Sequence, residues 1–246
     1  MNTLHSKVTW LLLLLATLCA HADVSDPAGV FAEANRYYDE GDYEKAVATY
    51  QQLLPEHQSA NVHYNLGNAF YQLADYGPAI LHYEKAIALA PRNPDIRANL
   101  ELTREAADIT PPAWSWTSIL ADRLSADGWA WLAVLSFWAS VILLIVPRLY
   151  RWKGPLRGGL TALSLVVLTV SALGLYGWHV RAAYGVVLSD EATLSIAPTK
   201  TSPAAGSVKA GELAHIRKQR GDYYLVTVGD DKLGWLPASV FAPVWD

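Results

Sequence analysis

Histidine is the side chain most suited to proton transfer or metal binding near neutral pH, and His57, His63 and His82 stand close together in this chain. Their spacing is not that of an H-E-x-x-H metal helix. No G-x-S-x-G turn, Walker loop or paired-carboxylate constellation accompanies them. The expectation is therefore no catalytic residue, no metal ligand set, no cofactor and no enzyme activity, with His63 and His82 as packing or surface groups. A different chemistry recurs. Asn35 and Tyr38 return 33 residues later as Asn68 and Tyr71, with Asn61, Tyr64 and Gln72 nearby. Amides can hydrogen-bond an extended peptide backbone, and tyrosines add flat contact area at small entropic cost. These seven residues form a candidate partner-binding groove. The same letters also fit asparagines that hold neighbouring helices together.

The elements that carry these groups repeat as well. GDYEKAVATY at 41–50 is echoed by ADYGPAILHY at 74–83, with Asp42, Tyr43, Ala46 and Tyr50 matching Asp75, Tyr76, Ala79 and Tyr83. A period near 34 with helical apolar spacing predicts helix-turn-helix units that stack because neither buries its apolar face alone. First helices are expected over 28–40 and 61–73, and second helices over 43–54 and 76–89. Asp42 and Asp75 fall at the second helices' N-caps. Pro91 and Pro94 end the second unit. Ala34, Gly67, Ala46 and Ala79 allow close helix approach, and Tyr37, Phe70, Tyr50 and Tyr83 fill the space around them. Leu66, Gly67, Phe70, Ala79, Tyr83, Ala86 and Pro91 resemble the tetratricopeptide repeat. In the first unit Ala34 replaces the glycine, Leu53 the later alanine, and the terminal proline is missing. The expected domain covers 23–108, with repeats at 27–59 and 60–93 and PDIRANLELTREAAD as a capping helix. The resemblance implies protein partners. Basic residues that such domains use to clamp a C-terminal carboxylate are not evident on this face.

Charge and hydropathy divide the rest of the chain. Residues 23–112 carry 14 acids and 6 bases, which argues against a nucleic-acid partner. Residues 1–22 read as a signal peptide: Lys7, the apolar core VTWLLLLLATL and the A-x-A site Ala20-His21-Ala22. An uncleaved anchor is the alternative; lipidation at Cys19 is disfavoured by Leu18 before it. Cleavage after Ala22 would remove the only cysteine. WAWLAVLSFWASVILLIV at 129–146 is uncharged and would span about 27 Å as a helix. GLTALSLVVLTVSALGLYGW at 159–178 is also uncharged. Two transmembrane helices are expected, at 129–147 and 159–178, in preference to a buried hairpin of a soluble protein. Trp129, Trp131, Tyr176 and Trp178 at the outer ends, and Tyr150 and Trp152 at the inner ones, read as aromatic belts. The loop 148–158 carries Arg148, Arg151, Lys153 and Arg157 and no acid. Positive loops stay in the cytoplasm, so both flanking regions lie across the membrane. The linker 109–128 begins with the stiff Pro111-Pro112 pair. Trp114, Trp116, Ile119, Leu120 and Leu124 could form a short helix on the membrane surface, or serve as aromatic anchors of an irregular linker.

Residues 185–246 change to the alternation of β-strands between Gly-Asp and Asp-Asp turns. LAHIRKQ, DYYLVTV and LGWLP read as three short strands. The LSIAP element, Ala210-Gly211-Glu212, Tyr223-Tyr224 and Gly234-Trp235-Leu236 resemble bacterial SH3-like domains, which implies a small all-β barrel. Tyr223, Tyr224 and Trp235 are the candidate surface of that barrel, although a core plug is the preferred reading of Trp235. The fold class expected is thus a multidomain membrane protein: a helical repeat solenoid, a two-helix transmembrane hairpin and an SH3-like barrel.

That order, with YNLGNAFYQLADYGPAILHYEKAIALAPRNPDIRANLEL in the middle, resembles the tetratricopeptide and SH3-containing proteins of the Bacteroides aerotolerance (Bat) group. The resemblance implies a non-catalytic scaffold in a bacterial inner-membrane complex. It also implies membrane proteins with von Willebrand A domains and a MoxR-type ATPase as companions, and periplasmic N- and C-terminal domains. Two alternatives are a sensor that grips peptidoglycan through the SH3-like domain and a periplasmic factor that presents client proteins.

Overall fold

The computed structural model describes residues 26–149, 155–190, 192–229 and 232–245. The proposed signal peptide, Cys19 and most of the basic loop, with its inner aromatics Tyr150 and Trp152, lie outside the described residues. Two compact units are present, one ending at His57 and the other starting at Gln58.

The first unit contains α1 (Pro27–Asp39) and α2 (Tyr43–Gln51). Asp26 caps α1 by accepting the Ala28 N–H, and Pro27 supplies the first helical φ. Asp42 caps α2 by accepting the Lys45 N–H. Gly41, at φ +79°, makes the turn between the helices. Ala34, Ala46 and Tyr50 are fully buried.

The second unit opens with α3 (Ala60–Gln72), α4 (Tyr76–Leu89) and α5 (Pro94–Ala106). Ser59 and Asn93 cap α3 and α5 through their side chains. Asp75 stands at the N-cap of α4 but its carboxylate makes no capping bond. Gly67 has the expected packing reason: a β-carbon there would sit 2.6 Å from the Tyr83 ring. A short helix, α6 (Trp116–Ala121), follows the Pro111-Pro112 segment. Two long helices come next, α7 (Ala126–Leu149) and α8 (Pro155–Ala182), packed against each other. Both extend beyond the expected apolar runs at each end, α7 from Ala126 to Leu149 and α8 from Pro155 to Ala182. Of the expected outer aromatic belt, only Trp131 and Tyr176 are exposed. Trp129 and Trp178 are 4% and 5% exposed, donating their indole N–H groups to the Ala121 and Leu124 carbonyls at 3.1 and 3.0 Å. Their polar edges are satisfied by the α6 segment, so they face protein.

Among the described residues seven strands follow where three were expected: β1 (Tyr184–Val187), β2 (Thr193–Ser195), β3 (Ala204–Ser207), β4 (Leu213–Arg220), β5 (Tyr223–Val228), β6 (Lys232–Pro237) and β7 (Phe241–Pro243). The additional four are only three or four residues long, too short to show alternation. They form one antiparallel sheet in the order β3-β2-β6-β5-β4-β1-β7. Leu194 near one edge and Phe241 at the other share a core with Val187, Ala214, Val226 and Leu236, so the sheet curls on itself. The irregularity between Ile216 and Lys218 in β4 helps it bend. Trp235 is half-buried, whereas Leu236 is fully buried. Side chains alternate along β6, and the residue after Trp235 takes the core place that the tryptophan was expected to fill.

Within this unit the sheet lies directly against α4. Val186 and Leu213 join Ile80 and Ile87 in one apolar cluster. Gly77 has the Leu188 carbonyl oxygen 2.6 Å from where its β-carbon would be, and Gly211, at φ +88°, has Ile80 at 2.6 Å.

Candidate functional site

The candidate groove divides between the two units, and each half has its own bonding. In the first, the Tyr50 hydroxyl donates to Asn35 Oδ1, and Tyr38 meets Tyr43 edge-on at 5.3 Å. In the second, the Tyr83 hydroxyl donates to Asn68 Oδ1 at 2.7 Å. Both pairs are 15 residues apart, so the recurrence of Asn and Tyr in the sequence reproduces one bond between the first and second helix of each repeat.

The second unit extends that bond into a network. Asn99, on α5, donates to Asn68 Oδ1 at 2.9 Å and to the Tyr64 hydroxyl at 3.1 Å. The Tyr64 and Tyr83 rings are 6.1 Å apart, and Tyr71 rests against Tyr76 at 6.0 Å. Tyr64, Asn68 and Tyr71 are half-buried, while Asn61 and Gln72 are exposed near the two ends of α3. The structure therefore brings Tyr64 and Asn68 together and adds Asn99, which the repeat period alone does not single out because it lies beyond the second repeat. Tyr83, Asn68, Asn99 and Tyr64 make a polar, aromatic edge linked by these three bonds. Such an edge suits contact with another polypeptide.

His63 and His82 are buried within the same unit, with Nδ1 atoms 3.0 Å apart and rings stacked at 5.2 Å. Phe70 stacks on His82 almost parallel, at 5.5 Å. Burial, then the neighbouring His63 and Lys85, hold the His82 imidazole down at about 3. His82 is thus neutral at ordinary pH and serves as packing. Among the described residues no group of three or more histidine, cysteine, aspartate or glutamate side chains is placed to hold a metal.

On the sheet, Tyr223 and Trp235 share the outer face, because Trp235 lies opposite Leu225 and Tyr223 opposite Pro237. Tyr224 points the other way and meets Phe241 at 5.4 Å. The three proposed surface aromatics therefore divide, two outside and one at the core. A cleft of about 480 Å³ opens elsewhere, between the segment 110–113 and the outer side of β1, β4 and β5, with Glu212, His215, Arg217 and Lys232 among its lining residues.

A charged cluster joins the helical and apolar parts. Asp122 accepts from Arg181 at 2.9 Å and lies 3.4 Å from Arg97. Arg181 stacks over Trp114 at 4.6 Å, and Trp114 meets Tyr184 at 5.1 Å. Arg104 pairs with the buried Glu84.

The tetratricopeptide repeat family matches residues 60–93, and a further tetratricopeptide repeat match covers residues 34–74. The first match has the same bounds as the second expected unit. No curated protein matches the chain.

Proposed function

We propose that this chain is a non-catalytic scaffold, anchored in a bacterial inner membrane by the α7–α8 hairpin, that holds partner proteins at the Tyr64–Asn68–Tyr71 edge. The observation that carries the reading is the repeated Tyr-to-Asn bond. It fixes Asn35 and Asn68, and Asn99 in turn holds Tyr64, so these groups lose little side-chain entropy on binding. The sheet docks on α4, the second helix of that repeat. Resemblance to the aerotolerance group names the expected companions: von Willebrand A-domain membrane proteins and a MoxR-type ATPase, with the repeats and the SH3-like sheet on the periplasmic side.

The membrane reading is supported by how the hairpin packs. Ser136, Ser140, Ser164, Ser171 and Gly174 are buried, while Trp131, Leu135, Trp138, Ile142, Leu163 and Val166 are exposed. Ser140 and Ser164 meet across the helices at 2.9 Å. A hairpin in water would bury the second set and expose the first. Small and polar residues between helices with apolar residues outside is the arrangement expected in lipid.

A photo-crosslinking residue at Gln72 in intact membranes tests the scaffold reading, since that position is exposed at the last turn of α3. The expected adduct is a von Willebrand A-domain membrane protein. A broad set of unrelated exported proteins would instead establish client handling, and binding of sacculi by the intact protein with no adduct at Gln72 would favour the cell-wall sensor.

A further inference from the structure

We infer that α6 is a third membrane contact, lying in the headgroup–acyl boundary with Trp116 and Ile119 turned into the lipid. The inference rests on the membrane reading of the hairpin, and it deepens that reading by fixing where the water boundary lies. The carrying observation is that α6 is inside out. Its polar residues Thr117 and Ser118 are 6% and 0% exposed, while Trp116 and Ile119 are 65% and 53% exposed. A helix laid on a protein in water turns the opposite faces. The buried hydroxyls are satisfied: Ser115 Oγ lies 2.9 Å from Thr117 Oγ1 and 3.0 Å from Ser118 Oγ.

The height of α6 follows from its contacts. Gly177 of α8 lies against the Thr117 carbonyl, where any β-carbon would collide. Trp129 of α7 bonds the Ala121 carbonyl. Gly177 is one residue from the exposed Tyr176, and Trp129 two residues from the exposed Trp131. Trp116 and Ile119 thus stand at the same level as the outermost exposed aromatics of both spans, the depth that tryptophan and tyrosine favour. The other linker residues expected at the membrane surface do not take part. Trp114 is occupied by Tyr184 and Arg181, and Leu120 and Leu124 pack on the Trp129–Trp178 cluster. The occupant that fits is therefore the bilayer boundary. The exposed face stands level with the exposed aromatic ends of both long helices and carries an indole, whose N–H suits the wet side of that boundary.

The test uses the full chain in nanodiscs, with Cys19→Ser and single cysteines at Ile119→Cys, Leu135→Cys and Glu105→Cys, each carrying a bimane fluorophore. Quenching is read with lipids bearing a nitroxide near the headgroup or deep in the acyl chain, and with aqueous iodide. Leu135 should be quenched by the deep nitroxide and Glu105 by iodide. At Ile119, the shallow nitroxide should quench severalfold more than at Glu105, and iodide severalfold less. Iodide access at Ile119 equal to that at Glu105, with Leu135 still quenched by lipid, would overturn the inference while leaving the hairpin in the membrane. Shielding from iodide without lipid quenching would assign the face to a protein partner or a second copy and would also overturn it. Absence of lipid quenching at Leu135 would remove the membrane reading and this inference together.

Discussion

At the residue scale, the buried His63–His82 pair gives the second repeat an acid sensitivity. His82 stands at about 3 in the folded chain against an ordinary 6.5. The unfolded chain therefore takes up the proton first. The stability that this group contributes is present above about pH 6.5 and is lost as pH falls towards 3, by roughly 1.4 kcal/mol per unit. Thermal unfolding of the detergent-solubilised chain should move to lower temperature between about pH 6.5 and 4.5, and His82→Phe should flatten that slope, because Phe70 already offers a parallel ring. An unchanged slope in the variant would assign the acid sensitivity to other groups. Gly67 carries a second prediction. Leucine there would drive into the Tyr83 ring and disturb its bond to Asn68. The expected cost is about 1 to 3 kcal/mol, seen as a lower denaturation midpoint; an unchanged midpoint would mean that the helix pair opens without loss. The sequence marked Gly67 well, and Asn68 as an amide that holds neighbouring helices, because their period is local and repeated. It marked Trp235 poorly, since a one-residue shift in a strand exchanges core for surface. It also misplaced Trp129 and Trp178, because an indole at the end of an apolar run looks the same whether it meets lipid or a loop carbonyl.

At the element scale, the joint between the linker, α5 and α8 is electrostatic. Asp122 lies between Arg181 and Arg97, with the Asp122 and Arg181 side chains 16% and 12% exposed. Removing the carboxylate leaves two guanidinium groups facing each other, one of them largely out of water. Asp122→Ala should cost about 3 to 5 kcal/mol and lower the unfolding temperature in nanodiscs. Asp122→Ala combined with Arg181→Met should recover most of the loss, because the unpaired buried charge is then gone; failure to recover would show that the aspartate acts through more than its charge. None of this was legible beforehand. The residues are 59 positions apart in sequence, and no spacing rule links a linker aspartate to the last turn of a long apolar helix. The long helices were legible because apolar length is a local signal. Four of the seven described strands were not: AAGS in β3, for one, has no apolar alternation and is placed by its pairing with β2 and by Lys232 of β6.

At the scale of the whole molecule, the second unit places the repeat, the hairpin ends and the sheet in one packed body. The Gly77–Leu188 and Gly211–Ile80 approaches leave no room for a side chain between α4 and the sheet. Gly77→Val should therefore part the sheet from the repeat. The expected readout is new protease cleavage in the 109–115 segment without loss of helical circular dichroism. Resistance equal to that of the unaltered chain would show that the contact tolerates the added bulk. The hairpin has a consequence for biogenesis. Ser136, Ser140 and Ser171 each already donate to the carbonyl four residues back in their own helix, at 2.7 to 2.8 Å. Neither span needs the other to satisfy these hydroxyls. In the proposed membrane anchor, each helix can therefore insert singly, and the Ser140–Ser164 contact forms afterwards.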